Sequence, residues 1–301
     1  MRKGLSVSII FNAQSLNYGE GIGNISELKK LTRADGNMYT FASRQALRYD
    51  IVRLGHEFFN WNLQVVEEKG TIQFKDGLSI KDSQEMDLFG YMKTIKKSDD
   101  SKGGSATREA VIRLSNAISL EPYRSDMDFL NNKGLADRIN KHPNLANIEQ
   151  HLSFYTYTFT IDLSKVGKDK DIELSNEEKS KRVIEFLEII KVLNRNIRGR
   201  QENLSPLFAI GGLYDISNPF FLGRIKLESS QNGYSVSSSP IKEIVNSTFL
   251  GKSLADYTSI GITDGVFNNK EEFEKILPEK VYSVDKFFNN LIEGVKEYYG
   301  V

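Results

Sequence analysis

The chain has 301 residues, with 40 Lys and Arg against 40 Asp and Glu, three His, one Trp and no Cys. This is the composition of an ordinary soluble protein, long enough for one large domain or two small ones and for a core that needs no disulfide or metal staple. It excludes a disulfide framework, a Cys-ligated zinc or iron–sulfur cluster and a thiol nucleophile. A formal charge of zero excludes a uniformly basic nucleic-acid binder but leaves room for a local basic face. The run after Met1-Arg2-Lys3-Gly4 lacks the long apolar stretch and cleavage site of a secretory signal. No stretch reaches the roughly 18–20 apolar residues of a membrane span, so a cytoplasmic protein with no membrane partner is expected.

In chain order, Leu5, Val7, Ile9 and Phe11 alternate with Ser6, Ser8, Ile10 and Asn12, which predicts a strand with one face in the core. A Gly/Asn-rich stretch over residues 17–24 and a basic segment, Lys29-Lys30-Leu31-Thr32-Arg33, lead to a predicted helix. Ser43 is its expected N-cap, and Leu47, Ile51, Leu54 and Phe58 recur at helical spacing. At about 100° per residue, Arg44 and Arg48 fall on the flank of that stripe, where they can lean over the edge of a covered sheet. Leu63–Glu67 and Thr71–Phe74 read as a hairpin around Lys69-Gly70. The polar run from Lys96 to Ser105 reads as a loop. Alternation returns at Tyr155, Tyr157, Phe159, Ile161 and Leu163, the clearest strand in the chain.

The next helix carries Ser175 as N-cap with Glu178 three residues on, a stripe from Val183 to Ile197, and Gly199 as its stop. Strands are predicted over Leu207–Ile210, extending toward Tyr214, and over Phe221–Leu227. The latter turns at Asn232-Gly233 into Tyr234–Ser237. A short helix is expected from Ser239-Pro240, and a last amphipathic helix from about Ser283. With the loose middle set aside, the order strand, helix, strand, strand, helix, strand is the plan of two split βαβ halves. The expected fold class is therefore α+β, ferredoxin-like and RRM-like. Fold alone gives no function.

The catalytic options are poor. Gly19-Glu20-Gly21-Ile22-Gly23 lacks the G-x-G-x-x-G spacing of a dinucleotide loop, and Gly251-Lys252-Ser253 follows a predicted helix where a phosphate-binding loop needs a strand. His56, His142 and His151 have no ligand at metal spacing, and no cofactor is expected. Glu20 and Asp35 bracket the Gly-rich loop, so metal-dependent RNA cleavage there is conceivable, but isolated carboxylates are explained more simply by solvation.

The cations are more informative. Residues 1–56 hold eight basic side chains against four acidic ones. Beside the expected helix cap, Ser43, Arg44, Gln45 and Arg48 offer a hydroxyl, an amide and two guanidiniums to a run of phosphates. Lys29, Lys30 and Arg33 lie just upstream. Further on, Lys93, Lys96, Lys97, Arg108, Arg113 and Arg124 are interleaved with Phe89, Tyr91, Tyr123 and Phe129, which can stack on bases.

Five blocks in order carry a family resemblance: LTRADGNMYTFASRQALRYDI from Leu31, DLFGYM from Asp87, REAVIRLSNAISLEPY from Arg108, SFYTYTFTIDL from Ser153 and GRQENLSPLFAIGGLYD from Gly199. With them the sequence resembles the backbone subunit of type I CRISPR interference (Cascade, type I-B) complexes of the Cst/DevR kind, in the repeat-associated (RAMP) superfamily. The resemblance implies a non-catalytic protein that polymerises along a guide RNA (crRNA) for antiviral defence. Its partners would be that RNA, copies of itself in a helical filament, other Cascade subunits and target DNA paired to the guide. It implies a ferredoxin-like palm in two halves, 1–58 and 153–301, with a finger/thumb insertion over 59–152. Ser43, Arg44, Gln45 and Arg48 would hold guide phosphates. Related subunits that cut RNA do so with an aspartate near the first strand's loop; here that loop offers Glu20 and no Asp before Asp35.

Overall fold

The computed structural model describes residues 3–68, 70–95, 104–231 and 233–301. Lys96 and Lys97, most of the predicted polar loop and Asn232 of the predicted turn lie outside the described residues. In chain order, the elements that shape the molecule are β1 (Gly4–Gln14), β2 (Lys30–Thr32), β3 (Met38–Ala42), α1 (Arg44–Phe59), α2 (Gln84–Phe89), β4 (Ile112–Leu114) and β5 (Ala117–Ser119). They continue with β6 (Leu152–Asp162), α3 (Asn176–Lys191), β7 (Phe208–Tyr214), α4 (Ser238–Val245), β8 (Ser259–Ile262), α5 (Lys270–Ile276), β9 (Val281–Tyr282) and α6 (Val284–Tyr299).

The fold is mixed α/β, built on one nine-stranded sheet in the order β9-β8-β7-β1-β6-β5-β3-β2, with β4 also paired to β6. β1 lies at its centre, antiparallel to β6 from Gly4 opposite Asp162 to Gln14 opposite Leu152, and antiparallel to β7 on its other side. This register puts Leu5, Val7, Ile9 and Phe11 on one face with Tyr155, Tyr157, Phe159 and Ile161, where α1, α3 and α6 close the main core. On the opposite face, Ile10, Phe154, Phe208 and Ile210 join a second core with α4 and α5. That second core covers only part of the face. Beyond it, β6 presents Thr156, Thr158 and Thr160, and Thr158 Oγ1 lies 2.6 Å from Ser8 Oγ.

The two predicted serine caps form, and Ser283, at the expected start of the last helix, is a third. Ser43, Ser175 and Ser283 each have extended backbone, and their side chains accept hydrogen bonds from the N–H groups of Ala46, Glu178 and Lys286. Three helix readings change. Phe58 is exposed, so the α1 stripe ends at Leu54. α3 stops at Lys191, not near Gly199: Asn194–Ile197 and Arg200–Asn203 form a hairpin. Arg198 (φ 48°) and Gly199 (φ 76°) make its two-residue turn, a positive-φ pair that suits the twist of a hairpin and cannot continue a helix. The short helix predicted from Ser239 begins at Ser238, so Pro240 is its third residue. The strand predicted over Phe221–Leu227 begins only at Leu227, which pairs with Val236 across the hairpin.

The stretch 59–152, read from the sequence as one insertion, leaves the sheet twice. β4 and β5 return to it in between, paired with β6, because Ile112 and Ala117 are buried in the main core. The first excursion carries the hairpin Val65–Glu68/Thr71–Phe74, α2, and Tyr91–Ile95 paired with Gly104–Arg108. Gly104 and Ser105, read as the end of a loop, are therefore strand. The second pairs Asp126–Asn131 with Leu145–Gln150, and Ile25–Ser26 of the Gly-rich region adds a parallel strand. Between β3 and the second excursion, His151 is buried with Nδ1 2.7 Å from Thr40 Oγ1, itself 2.8 Å from the Tyr155 hydroxyl. Burial lowers the His151 pKa below the ordinary histidine value. A histidine that resists protonation only when folded contributes stability that is lost as pH falls below its unfolded pKa, by about 1.4 kcal/mol per unit of depression. Melting temperature should therefore drop between pH 7.5 and pH 5, and His151→Gln should show a shallower drop in a thermal scan.

Candidate nucleic-acid interface

Two elements converge on the N-terminal end of α1. The first is the broken strand 112–119. Ser115 interrupts the ladder between β4 and β5, its N–H bonding Thr158 O (2.9 Å) while its Oγ accepts the Thr158 N–H (2.9 Å). The break turns Asn116 outward, and Asn116 Oδ1 accepts the Arg44 N–H at 2.9 Å. The second is the Gly-rich region, fastened to the cap by Asn17 Nδ2 donating to Ser43 Oγ (3.3 Å). α1 has no acidic residue in its first turn. Its partial positive charge is therefore not neutralised within that turn, and Arg44 and Gln45 stand exposed on it. Arg44, Gln45, Arg48 and Arg113 line a common cleft of about 490 Å³.

The sequence-predicted cations divide sharply. Arg44 has no ion pair among the described residues, and Arg113, 66% exposed, has only a 3.4 Å pair with the equally exposed Glu109. Arg33 is exposed, its guanidinium 5.3 Å over the Tyr39 ring. Lys29 is half-buried beside them in sequence. The others are spent internally. Lys30 Nζ reaches both Glu149 oxygens, at 2.6 and 2.9 Å. Arg48 pairs with Glu85 at 2.7 Å and lies 5.2 Å over Phe89. Lys93 is buried, donating to the carbonyls of Lys75 (3.1 Å) and Leu78 (2.7 Å), and burial lowers its pKa. Arg108, only 7% exposed, pairs with Asp87 at 2.6 Å. The Ser43 hydroxyl is committed to its capping role.

Asp35 is likewise occupied. It accepts from the Tyr39 hydroxyl (2.7 Å) and the Asn37 N–H (3.0 Å), and these bonds hold its carboxyl below the usual aspartate value. Among the described residues no cluster of three or more His, Asp or Glu could hold a metal ion. Sequence reasoning missed Asn116, whose signal was a Ser-Asn pair between two short apolar stretches. It also missed Arg198, exposed at the hairpin turn with its guanidinium 4.3 Å from the Tyr18 ring. No described helix is long and apolar enough to cross a membrane.

Solved structures share this architecture. A chain described as "CRISPR RNA-guided surveillance complex, pre-nicking" superposes with a TM-score of 0.58 at 11% identity, covering 97% of this chain and 100% of that one. Another, described as "CRISPR RNA-guided surveillance complex", does so at 0.57 and 12%, covering 97% and 99%. The fold is thus one found in chains of such complexes. None of the curated proteins matches it by sequence. The model of the family described as CRISPR-associated negative auto-regulator DevR/Csa2 matches residues 5–220, and the chain belongs to that family.

Proposed function

We propose that this protein is a non-catalytic backbone subunit of a CRISPR surveillance complex, holding a guide RNA through its phosphates and repeating in copies along it. The observation that carries the reading is the start of α1: a capped, acid-free helix N-terminus flanked by the exposed Arg44 and Gln45, with Arg113 in the same cleft. Backbone amides, guanidiniums and a side-chain amide hold phosphates without reading bases, which is what a subunit tiling an arbitrary sequence needs. Family membership supports the setting.

On this reading the sheet order β7-β1-β6-β4/β5, with α1 and α3 on one face, is a ferredoxin-like palm, and the two excursions from it are the fingers and thumb. Other Cascade subunits and target DNA paired to the guide are the further partners, and the cytoplasm is the place of work. A chain with no net charge can pack against copies of itself without strong self-repulsion, and head-to-tail contacts would produce an open helix.

Expression with a guide-encoding array tests this directly. Purified protein should carry RNA of uniform length, and nuclease treatment should shift it from a large particle toward monomer on a sizing column. Protein that purifies free of RNA and fails to bind single-stranded RNA at low salt would falsify the reading.

A further inference from the structure

The open part of the sheet's second face is not flat. The 31–39 segment and the 222–227 segment rise on either side of β5 and β6 and enclose a cleft of about 690 Å³. That lies within the range that holds a small organic ligand. Its walls are apolar, Leu120 and Ile225 among them, with Tyr39 on one side. Arg33 lies 5.3 Å over the Tyr39 ring, so a flat cation is presented to the cleft on an aromatic backing.

The polar groups are few and placed at two levels. On the floor, the half-buried Thr156 hydroxyl has no partner among the described residues. Asn116 spends its carbonyl oxygen on the Arg44 N–H, and its amide N–H groups have no partner among the described residues. At the rim, Lys226 is exposed and without an ion pair among the described residues. Asp35, a carboxylate in the same lining, already accepts from Tyr39 and Asn37.

This combination matches one chemical class. Apolar walls and a guanidinium plane suit a planar heterocycle, free donors on the floor suit its ring nitrogens and carbonyls, and Arg33 and Lys226 suit an anion at the mouth. An apolar peptide would gain from the walls but would bury Thr156 and Asn116 without partners. Asn116 also joins the cleft to the start of α1. A neighbouring trough of about 390 Å³ shares Ser115, Thr158 and Leu222 with the cleft, and Arg113 lines both that trough and the cleft at α1. We infer that the cleft between Tyr39, Thr156 and Ile225 is a nucleotide-binding pocket that takes one unstacked base, its phosphate facing Arg33 and Lys226. Where the base belongs to an RNA strand, the inference rests on the phosphate-binding reading above: a backbone held at Arg44 and Arg113 has this pocket beside it.

Two arms test the pocket and identify its source of bases. Saturation-transfer NMR with guanosine 5′-monophosphate, against ribose 5-phosphate, reads the cleft alone. The mononucleotide should bind and the sugar phosphate should not. Tyr39→Leu should weaken binding about tenfold, because it removes the aromatic backing that holds the Arg33 stacking plane, and Thr156→Trp, which fills the cleft, should abolish it. Both variants are compared at matched thermal stability, and Lys226→Ala serves as a surface variant that leaves folding unaffected. In the second arm, single-stranded RNA carrying 6-thioguanosine is photo-crosslinked and the adducts are mapped. Adducts within residues 38–42, 117–120 or 222–227, lost in Thr156→Trp, assign the pocket to a base of RNA. Mononucleotide binding without such adducts assigns it to a free nucleotide. RNA that binds and crosslinks only elsewhere, with the mononucleotide no better than ribose 5-phosphate, overturns the pocket while leaving the phosphate-binding reading standing. Loss of all RNA binding by the wild-type chain overturns that reading, and the mononucleotide arm still decides the pocket.

Discussion

Asp87→Ala is expected to destabilise the protein by about 3–5 kcal/mol, the range for removing one partner of a buried ionic cluster. Asp87, on α2 in the first excursion, is fully buried, and each of its side-chain hydrogen bonds among the described residues reaches another segment. Its Oδ1 accepts from Arg108 (2.6 Å), its Oδ2 from Arg182 of α3 (2.9 Å), and both oxygens accept from the Gly167 N–H at 2.9 and 3.0 Å. Arg182 is as buried as its partner and also donates to Glu178 (2.8 Å) and the Ile80 carbonyl (2.7 Å). Arg108 reaches the carbonyls of Lys165 and Lys168. Among the described residues the aspartate is thus the one charge that compensates both guanidiniums while tying α2, the end of its hairpin, α3 and the segment after β6 together.

Truncating Asp87 leaves two cations with carbonyls but, for Arg108, without any counter-charge in the cluster. The cost is that of an uncompensated buried charge, not of one lost hydrogen bond. Urea titration should show a lower midpoint with unchanged slope. Adding Arg108→Met to Asp87→Ala should recover part of the loss, since it removes the cation left uncompensated and the two residues are in direct contact. A change below about 1 kcal/mol, or strict additivity in the double variant, would show that the first excursion is held by its apolar contacts alone.

The sequence carried local information faithfully and distant information hardly at all. Ser43 and Ser175 could be read as caps because a cap is settled by residues within one turn. The period-two alternation of Leu5–Phe11 and Tyr155–Leu163 likewise marked the two central strands, which turn out to be hydrogen-bonded neighbours. The end of α3 was misplaced because Leu193 and Ile197 continue the helical spacing, and what breaks the helix is a turn whose positive φ at Arg198 cannot be seen in a periodicity. The candidate site was half legible. Clustering of basic residues pointed to the start of α1. It could not tell Arg44, which has no ion pair among the described residues, from Arg48, whose partner Glu85 lies 37 residues away, or from Arg108 and Lys93, whose partners are set by the packing of α2 and its hairpin. In a neutral chain with equal numbers of acids and bases, which cations remain for a ligand is a property of the tertiary structure.

That division makes the second large effect specific. The triple variant Arg33→Ala/Arg44→Ala/Arg113→Ala should keep its fold and lose about 2 units of salt slope in single-stranded RNA binding, at roughly 0.7 per lost phosphate contact. Raising salt fourfold should therefore cost the wild type about 16-fold more affinity than the triple variant, equally for unrelated RNA sequences. The three side chains are exposed, and Glu109 is the only carboxylate bridged to any of them among the described residues, so their removal leaves no buried group unsatisfied. Lys93→Met and Arg108→Met make the opposite comparison. Their cationic groups are enclosed by carbonyls and Asp87, so they should lower the unfolding midpoint and leave the salt slope of the folded fraction unchanged. Arg48→Ala should fall between, because its charge is already half-balanced by Glu85 and its guanidinium packs on Phe89. Fluorescence anisotropy across a salt series measures all of these on one axis. A slope that stays at the wild-type value in the triple variant but falls in Lys93→Met or Arg108→Met would place the RNA on the first excursion instead of at the start of α1.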